Sequence, residues 1–195
     1  NKQGIAYFVL KYRMPKGDRN IPLSDAYQAI RTVRDSAEVW HINKKDVGIM
    51  GFSAGGHLAS SVSTHAEEAV RPNFSILFYP VISMDEQITH KGSCVNFLGE
   101  ERKTNDKLVE EWSNDKAVRP QVTPRVILLM SSDDKVVPPV TNGVAYYTAM
   151  NKAGNECTLH IYPSGGHGWG FRNTAQGFRY HTQMLDDLTT WLQHF

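Results

Sequence analysis

Two rhythms of apolar and polar residues alternate along the chain. Gly4-Ile5-Ala6-Tyr7-Phe8-Val9-Leu10-Lys11-Tyr12 is a compact apolar and aromatic run of the kind that fills a buried strand. From Pro22 to Trp40 the spacing changes. Ala26, Ile30, Val33, Ala37 and Trp40 recur three and four positions apart, with Ser24 or Asp25 near the start and charges between, which predicts an amphipathic helix. Val47 to Gly51 then predicts a short strand, and Gly55 to about His65 a helix rich in small residues. Further strands are expected at Phe74 to Tyr79, Val126 to Met130 and Thr158 to Tyr162. Helices are expected at Val140 to Ala153, closed by Gly154, and at about Thr174 to Phe195. Alternating strands and helices imply parallel pairing with helices on both faces, hence an α/β chain of about five strands.

One stretch breaks this alternation. Residues 83–124 are polar, carry Gly92 and Gly99, and hold only a short helical pattern near Asp106 to Trp112. They read as an excursion above the sheet, and loops of that length in compact domains are commonly functional, so a lid or substrate wall stands beside simple solvated decoration.

Composition narrows the class. The 195 residues are 41% hydrophobic and 21% charged, which fits one globular domain over 1–195. With 21 Lys+Arg against 20 Asp+Glu the net charge is +1, and no basic run is dense enough for nucleic acid or an anionic membrane surface. No apolar run approaches the roughly 20 residues of a membrane span. Cys94 and Cys157 form no CxxC or Cys/His pattern, so neither a zinc site nor a disulfide scaffold is indicated, and both read as small buried hydrophobes. No metal-ligand cluster or phosphate loop is evident, so no cofactor is expected. The chain opens at Asn1 rather than Met, which leaves its location open, a secreted or periplasmic one included.

The most specific chemical signal is Gly51-Phe52-Ser53-Ala54-Gly55, a G-x-S-x-G between a predicted strand and a predicted helix. A nucleophile elbow needs a tight turn there, and Gly51, Ala54, Gly55 and Gly56 let strand and helix approach without side-chain clashes. The Ser53 hydroxyl and the Ala54 N–H then lie near a helix N-terminus, whose partial positive charge favours an oxyanion. The plainer alternative is a glycine-rich turn with an idle serine. A serine is a poor nucleophile unless a base takes its proton and a carboxylate orients that base, in chain order Ser, acid, His. His167, flanked by Gly165, Gly166, Gly168 and Gly170 after a predicted strand, is the candidate base. The other seven histidines lack such a setting, and His57, one helical turn beyond Ser53, is expected to pack or cap locally. After the strand Val126 to Met130 come two adjacent candidate acids, Asp133 and Asp134, of which only one can face His167.

These segments together resemble α/β-hydrolase fold esterases of the acetyl xylan esterase and feruloyl esterase type, related to the prolyl oligopeptidase-like serine hydrolases. The resemblance spans nearly the whole chain, from Ala6-Tyr7-Phe8-Val9-Leu10-Lys11-Tyr12-Arg13 through Gly51 to Leu58 and Phe78 to Ser83, to Asp133 to Pro138 and Gly165 to Gly168. It implies Ser53 as nucleophile, His167 as general base and then acid, and the Ala54 N–H as one oxyanion donor. The acid of the family's Asp-x-x-Val turn falls on Asp133, with Asp134 as runner-up. The implied substrate is a small ester or an acetylated or feruloylated plant polysaccharide fragment. Trp169, Trp112, Phe171 and Tyr79 are candidate aromatic platforms for a sugar or feruloyl ring, Trp169 first among them, with core packing as the equally open alternative for each.

The sequence departs from the family in lacking the His-Gly-Gly-Gly loop that supplies a second oxyanion donor. It reads as N-terminally truncated, with the run at Gly4 to Tyr12 in the place of the family's fourth strand. That run is then expected to pair with Val47 to Gly51, or an exposed sheet edge to be filled by another chain, promoting self-association. A peptidase and a non-catalytic domain with a vestigial triad are the alternatives.

Overall fold

The computed structural model describes residues 4–172 and 178–193. Four parallel strands, β1 (Gly48–Phe52), β2 (Phe74–Phe78), β3 (Arg125–Ser131) and β4 (Cys157–Tyr162), form one sheet in the order β1-β2-β3-β4. Around it lie α1 (Asn20–Asp35), α2 (Ala54–His65), α3 (Lys91–Leu98), α4 (Asp106–Glu111), α5 (Ala145–Lys152) and α6 (His181–Leu192). The central strands read as continuous apolar runs because both faces are covered. Leu77 and Leu128 pack with Ala59 of α2 and with Tyr146 and Met150 of α5. Their neighbours Ile76, Phe78, Ile127 and Leu129 point the other way, to Met184 and Leu188 of α6 and to Trp169. The expectation of an α/β chain with helices on both faces is met.

The fifth strand is not formed. Residues 5–15 have no regular secondary structure, and Tyr7, Phe8 and Val9 stand 58%, 50% and 83% exposed. Among the described residues no backbone hydrogen bond joins this run to β1, so the outer edge of β1 is unpaired. Apolar content alone does not make a strand, because its N–H and C=O groups need a partner edge. The run is instead tied down at separate points: Phe8 stacks on Trp40 at 5.0 Å, and Arg13 forms a forked ion pair with Asp25 at 2.7 Å.

Helix bounds shift for local reasons. The first helix begins at Asn20 and stops at Asp35, short of the expected Trp40, where a turn ending at His41 (φ 53°) takes over. Arg34 in its last turn donates to the carbonyls of Ala69 and Arg71, fixing the helix end to the approach to β2. The helix after Asp133 and Asp134 opens as a π turn, Val140–Val144, before α5. The expected helix at Thr174 to Phe195 is α6, His181–Leu192; its expected ends lie outside the described residues.

The excursion at 83–124 is not loose decoration. Met84, Cys94, Phe97, Leu98, Leu108 and Trp112 join Leu58 and Val62 of α2 in one buried cluster. A polar network reinforces that contact. His57 is buried, its Nε2–H donates to the Trp112 carbonyl at 2.9 Å, and Asn114 Nδ2 donates to Ser60 and Ser61.

Burial pushes the His57 imidazole down to about 4, only partly offset by the Trp112 carbonyl. Above pH about 6.5 it is neutral whether the chain is folded or unfolded, and it costs nothing. As pH falls from about 6.5 towards 4, the unfolded chain binds a proton that the folded chain refuses, and stability drops by roughly 3 kcal/mol. Half-buried His65, shifted the same way by desolvation, adds to the loss. Urea midpoints at pH 7.5 and 4.5 check this: the drop should be clearly smaller in His57→Gln, and equal drops would contradict it.

Candidate active site

Every candidate site residue belongs to a segment that leaves the carboxyl end of a strand. The register aligns Phe52 with Phe78, Phe78 with Leu129, and Ser131 with Tyr162, so the segments that follow these strands converge at one edge of the sheet. In open α/β sheets that edge is where ligands bind.

Ser53 sits between β1 and α2 with φ 53° and ψ −119°, a strained conformation for a non-glycine residue. The strain is held by neighbours. Ser53 N–H donates to the Phe78 carbonyl at 3.0 Å, and the Ser53 carbonyl accepts from Val81 and His57 at 3.1 Å each. The glycines are dictated by contact as well as by the turn: a Cβ on Gly51 would stand 2.1 Å from the Gly55 carbonyl oxygen, and one on Gly56 2.7 Å from Pro80. Ala54 is the first residue of α2, so its N–H belongs to the helix end whose donors have no intrahelical acceptor.

His167 lies between Ser53 and a carboxylate. Its Nε2 is 2.8 Å from Ser53 Oγ and accepts the hydroxyl proton when Nδ1 carries the ring hydrogen. Its Nδ1 is 2.7 Å from Asp134 Oδ2. The acid on the imidazole is therefore Asp134 and not Asp133, which corrects the assignment drawn from the Asp-x-x-Val spacing. Val136 and Val137 satisfy that spacing equally well for the two aspartates, and burial separates them. Val137 is fully buried and Val136 is 47% exposed, which turns the Asp134 side chain inward, where it is wholly buried. The N–H groups of Val136 and Val137 both donate to Asp134 Oδ1 at 2.9 Å, leaving Oδ2 for the histidine. Asp133 points outward, and its Oδ1 accepts the Gly166 N–H at 2.8 Å.

Tyr79, just beyond β2, has its ring 4.6 Å from that of His167. Desolvation pushes that phenol up to about 12, so it stays protonated. Its positive φ of 34° at the strand end is the signal that sequence reading could not supply.

Trp169 is no substrate platform. It is 2% exposed, stacks on Phe178 at 3.9 Å and donates from Nε1 to Ser131 Oγ at 2.9 Å. Its role is to pack the histidine loop onto β3. Trp112 and Tyr79 are buried likewise, while Phe171 is 43% exposed. Of the two cysteines, Cys94 is buried and Cys157 half-buried, and desolvation holds their thiols protonated, at about 11 and about 12. Among the described residues no cluster of His, Cys, Asp and Glu could hold a metal ion, and no helix is long and apolar enough to cross a membrane.

A nucleophile elbow at the end of a parallel strand, with a histidine bridging it to a buried carboxylate, defines an α/β hydrolase. A family model described as alpha/beta hydrolase fold matches residues 3–171, and the chain belongs to that family. It is 60% identical over 193 residues to an acetylxylan esterase of Xylanibacter ruminicola, covering 99% of this chain and 40% of that protein. It is 31% identical to endo-1,4-beta-xylanase B of Butyrivibrio fibrisolvens, over 85% of this chain and 28% of that one. The chain thus spans well under half the length of these relatives. Among solved structures, an acetyl ester-xyloside bifunctional hydrolase from Caldicellulosiruptor lactoaceticus superposes with a TM-score of 0.88 at 34% identity, covering 99% of this chain and 72% of that one.

Proposed function

We propose that this chain carries the catalytic centre of a carboxylic-ester hydrolase that removes acetyl groups from xylan. The observation that carries the reading is the His167 bridge, 2.8 Å to Ser53 Oγ and 2.7 Å to Asp134 Oδ2. In this mechanism Ser53 Oγ attacks the ester carbonyl as His167 Nε2 takes its proton, and Asp134 stabilises the imidazolium that forms. The Ala54 N–H stabilises the oxyanion at the N-terminus of α2. His167 returns the proton to the departing sugar hydroxyl, and water, activated by the same base, releases acetate from Ser53. Every step is proton transfer and acyl transfer.

The acetyl-xylan preference is supported by the relatives, one an acetylxylan esterase at 60% identity and one an acetyl ester-xyloside hydrolase at 34%. The excursion at 83–124 serves as a substrate wall in this reading. His90, Gly92, Ser93, Asn96 and Phe97 line a cavity of about 220 Å³ that reaches Ala54, next to the nucleophile. The test is acetate release from acetylated xylan, set beside feruloylated xylan and a chromogenic dipeptide. Acetate release without dipeptide cleavage is expected; the reverse would make the chain a peptidase.

The reading also includes pairing of the unpaired edge of β1 with the same edge of a second copy, since an open strand edge is a template for another strand. Light scattering should show a mass that rises with concentration, and a concentration-independent monomer would contradict it.

A further inference from the structure

We propose that Asp133 is a positioning residue for His167, acting through the backbone of Gly166 rather than through the imidazole. The proposal rests on the catalytic reading above.

Two consecutive carboxylates hold two consecutive residues. Asp133 Oδ1 accepts the Gly166 N–H at 2.8 Å, while Asp134 Oδ2 is 2.7 Å from His167 Nδ1. The first bond fixes the backbone that delivers the ring, and the second fixes the ring's rotation.

The loop needs such a hold. Gly166 and Gly168, on either side of His167, have φ of 59° and 84°, and nothing lies within 4 Å of where their side chains would stand. No neighbour fills the space a side chain would take at either residue, and glycine offers the backbone many alternatives. The flanks are fixed differently. Gly165 is wedged against Phe178 and Ser131, and a side chain at Gly170 would meet Tyr79 and Phe52. Between them the Asp133 bond restrains the peptide that enters His167. The Gly166 N–H, with Gly165 behind it, also holds the Asp133 carboxyl below the usual carboxylate range, so the acceptor stays ionised wherever a neutral histidine can act as base.

The hold depends on an acceptor oxygen, not on charge, and that makes it testable. Asparagine keeps Oδ1 for the Gly166 N–H, and alanine does not. Steady-state hydrolysis of p-nitrophenyl acetate is compared for wild type, Asp133→Ala and Asp133→Asn, with Gly166 amide exchange followed by NMR. Asp133→Ala should lower kcat about tenfold with KM within about twofold, because a misplaced base costs the reaction and not ground-state binding. Its Gly166 amide should exchange faster, and Asp133→Asn should stay within about threefold of wild type.

Wild-type kcat in Asp133→Ala, an equal loss in both variants, or unchanged exchange at Gly166 would each overturn the proposal. A Ser53→Ala control separates the two ideas. Hydrolysis persisting in that control sinks the catalytic reading and this proposal with it, whereas an inert control beside a fully active Asp133→Ala sinks the proposal alone. Should wild type release no p-nitrophenol, the rate of Ser53 labelling by a fluorophosphonate replaces kcat.

Discussion

Ser53→Ala is expected to lower kcat for ester hydrolysis by 10⁴- to 10⁶-fold, in the range seen when the nucleophile of a serine triad is removed (order of magnitude). The size follows from the geometry. Ser53 Oγ is the atom 2.8 Å from His167 Nε2, so its deletion removes both the bond-forming oxygen and the proton that the base would take. The fold should tolerate the change. Ser53 is only half-buried, its side chain bonds among the described residues only to His167, and alanine meets the same positive φ that serine already does. Kinetics on p-nitrophenyl acetate with a thermal melt of the same sample check both halves: activity lost, midpoint kept. A variant retaining more than about a hundredth of the wild-type rate would require another nucleophile.

The second large effect separates the two aspartates. Asp134→Asn should cost on the order of 10⁴-fold in kcat, as when the triad acid becomes an amide elsewhere. The reason lies in the two N–H groups, Val136 and Val137, that converge on Oδ1 at 2.9 Å. They select the amide oxygen for that position and leave the amide NH₂ facing His167 Nδ1. A donor there makes Nδ1 the acceptor and puts the ring hydrogen on Nε2, towards Ser53, where a base is needed. Asp133→Asn meets no such conflict and should fall by a few-fold at most. Parallel kcat measurements on the two amides check this. Equal losses, or a larger loss at position 133, would mean that His167 is oriented from Asp133.

These two residues also show how far the sequence could be read. The elbow was legible because its chemistry is local: Gly51 and Gly56 are required by contacts at 2.1 and 2.7 Å that any strand-to-helix turn this tight would create. His167 was legible from its glycines for the same reason. The choice between Asp133 and Asp134 depends on which of two adjacent valines is buried, and Val137 is decided by the core cluster it joins with α1 and α2, not by its neighbours in sequence. Trp169 was open for a similar reason, since an aromatic beside a glycine-rich loop reads alike whether it faces substrate or, as here, Phe178. The run at Gly4 to Tyr12 has the composition of a buried strand, yet strands are made by partners. With none among the described residues, it stays irregular and mostly exposed.

The central claim is that Ser53, His167 and Asp134 form a working acyl-transfer site. Its most direct test is intact-mass and peptide mass spectrometry of the chain after a fluorophosphonate, with and without Asp134→Asn. The account predicts one adduct per chain, on the peptide carrying Ser53, forming much more slowly in Asp134→Asn. No adduct on Ser53, or equal labelling in both proteins, would contradict it.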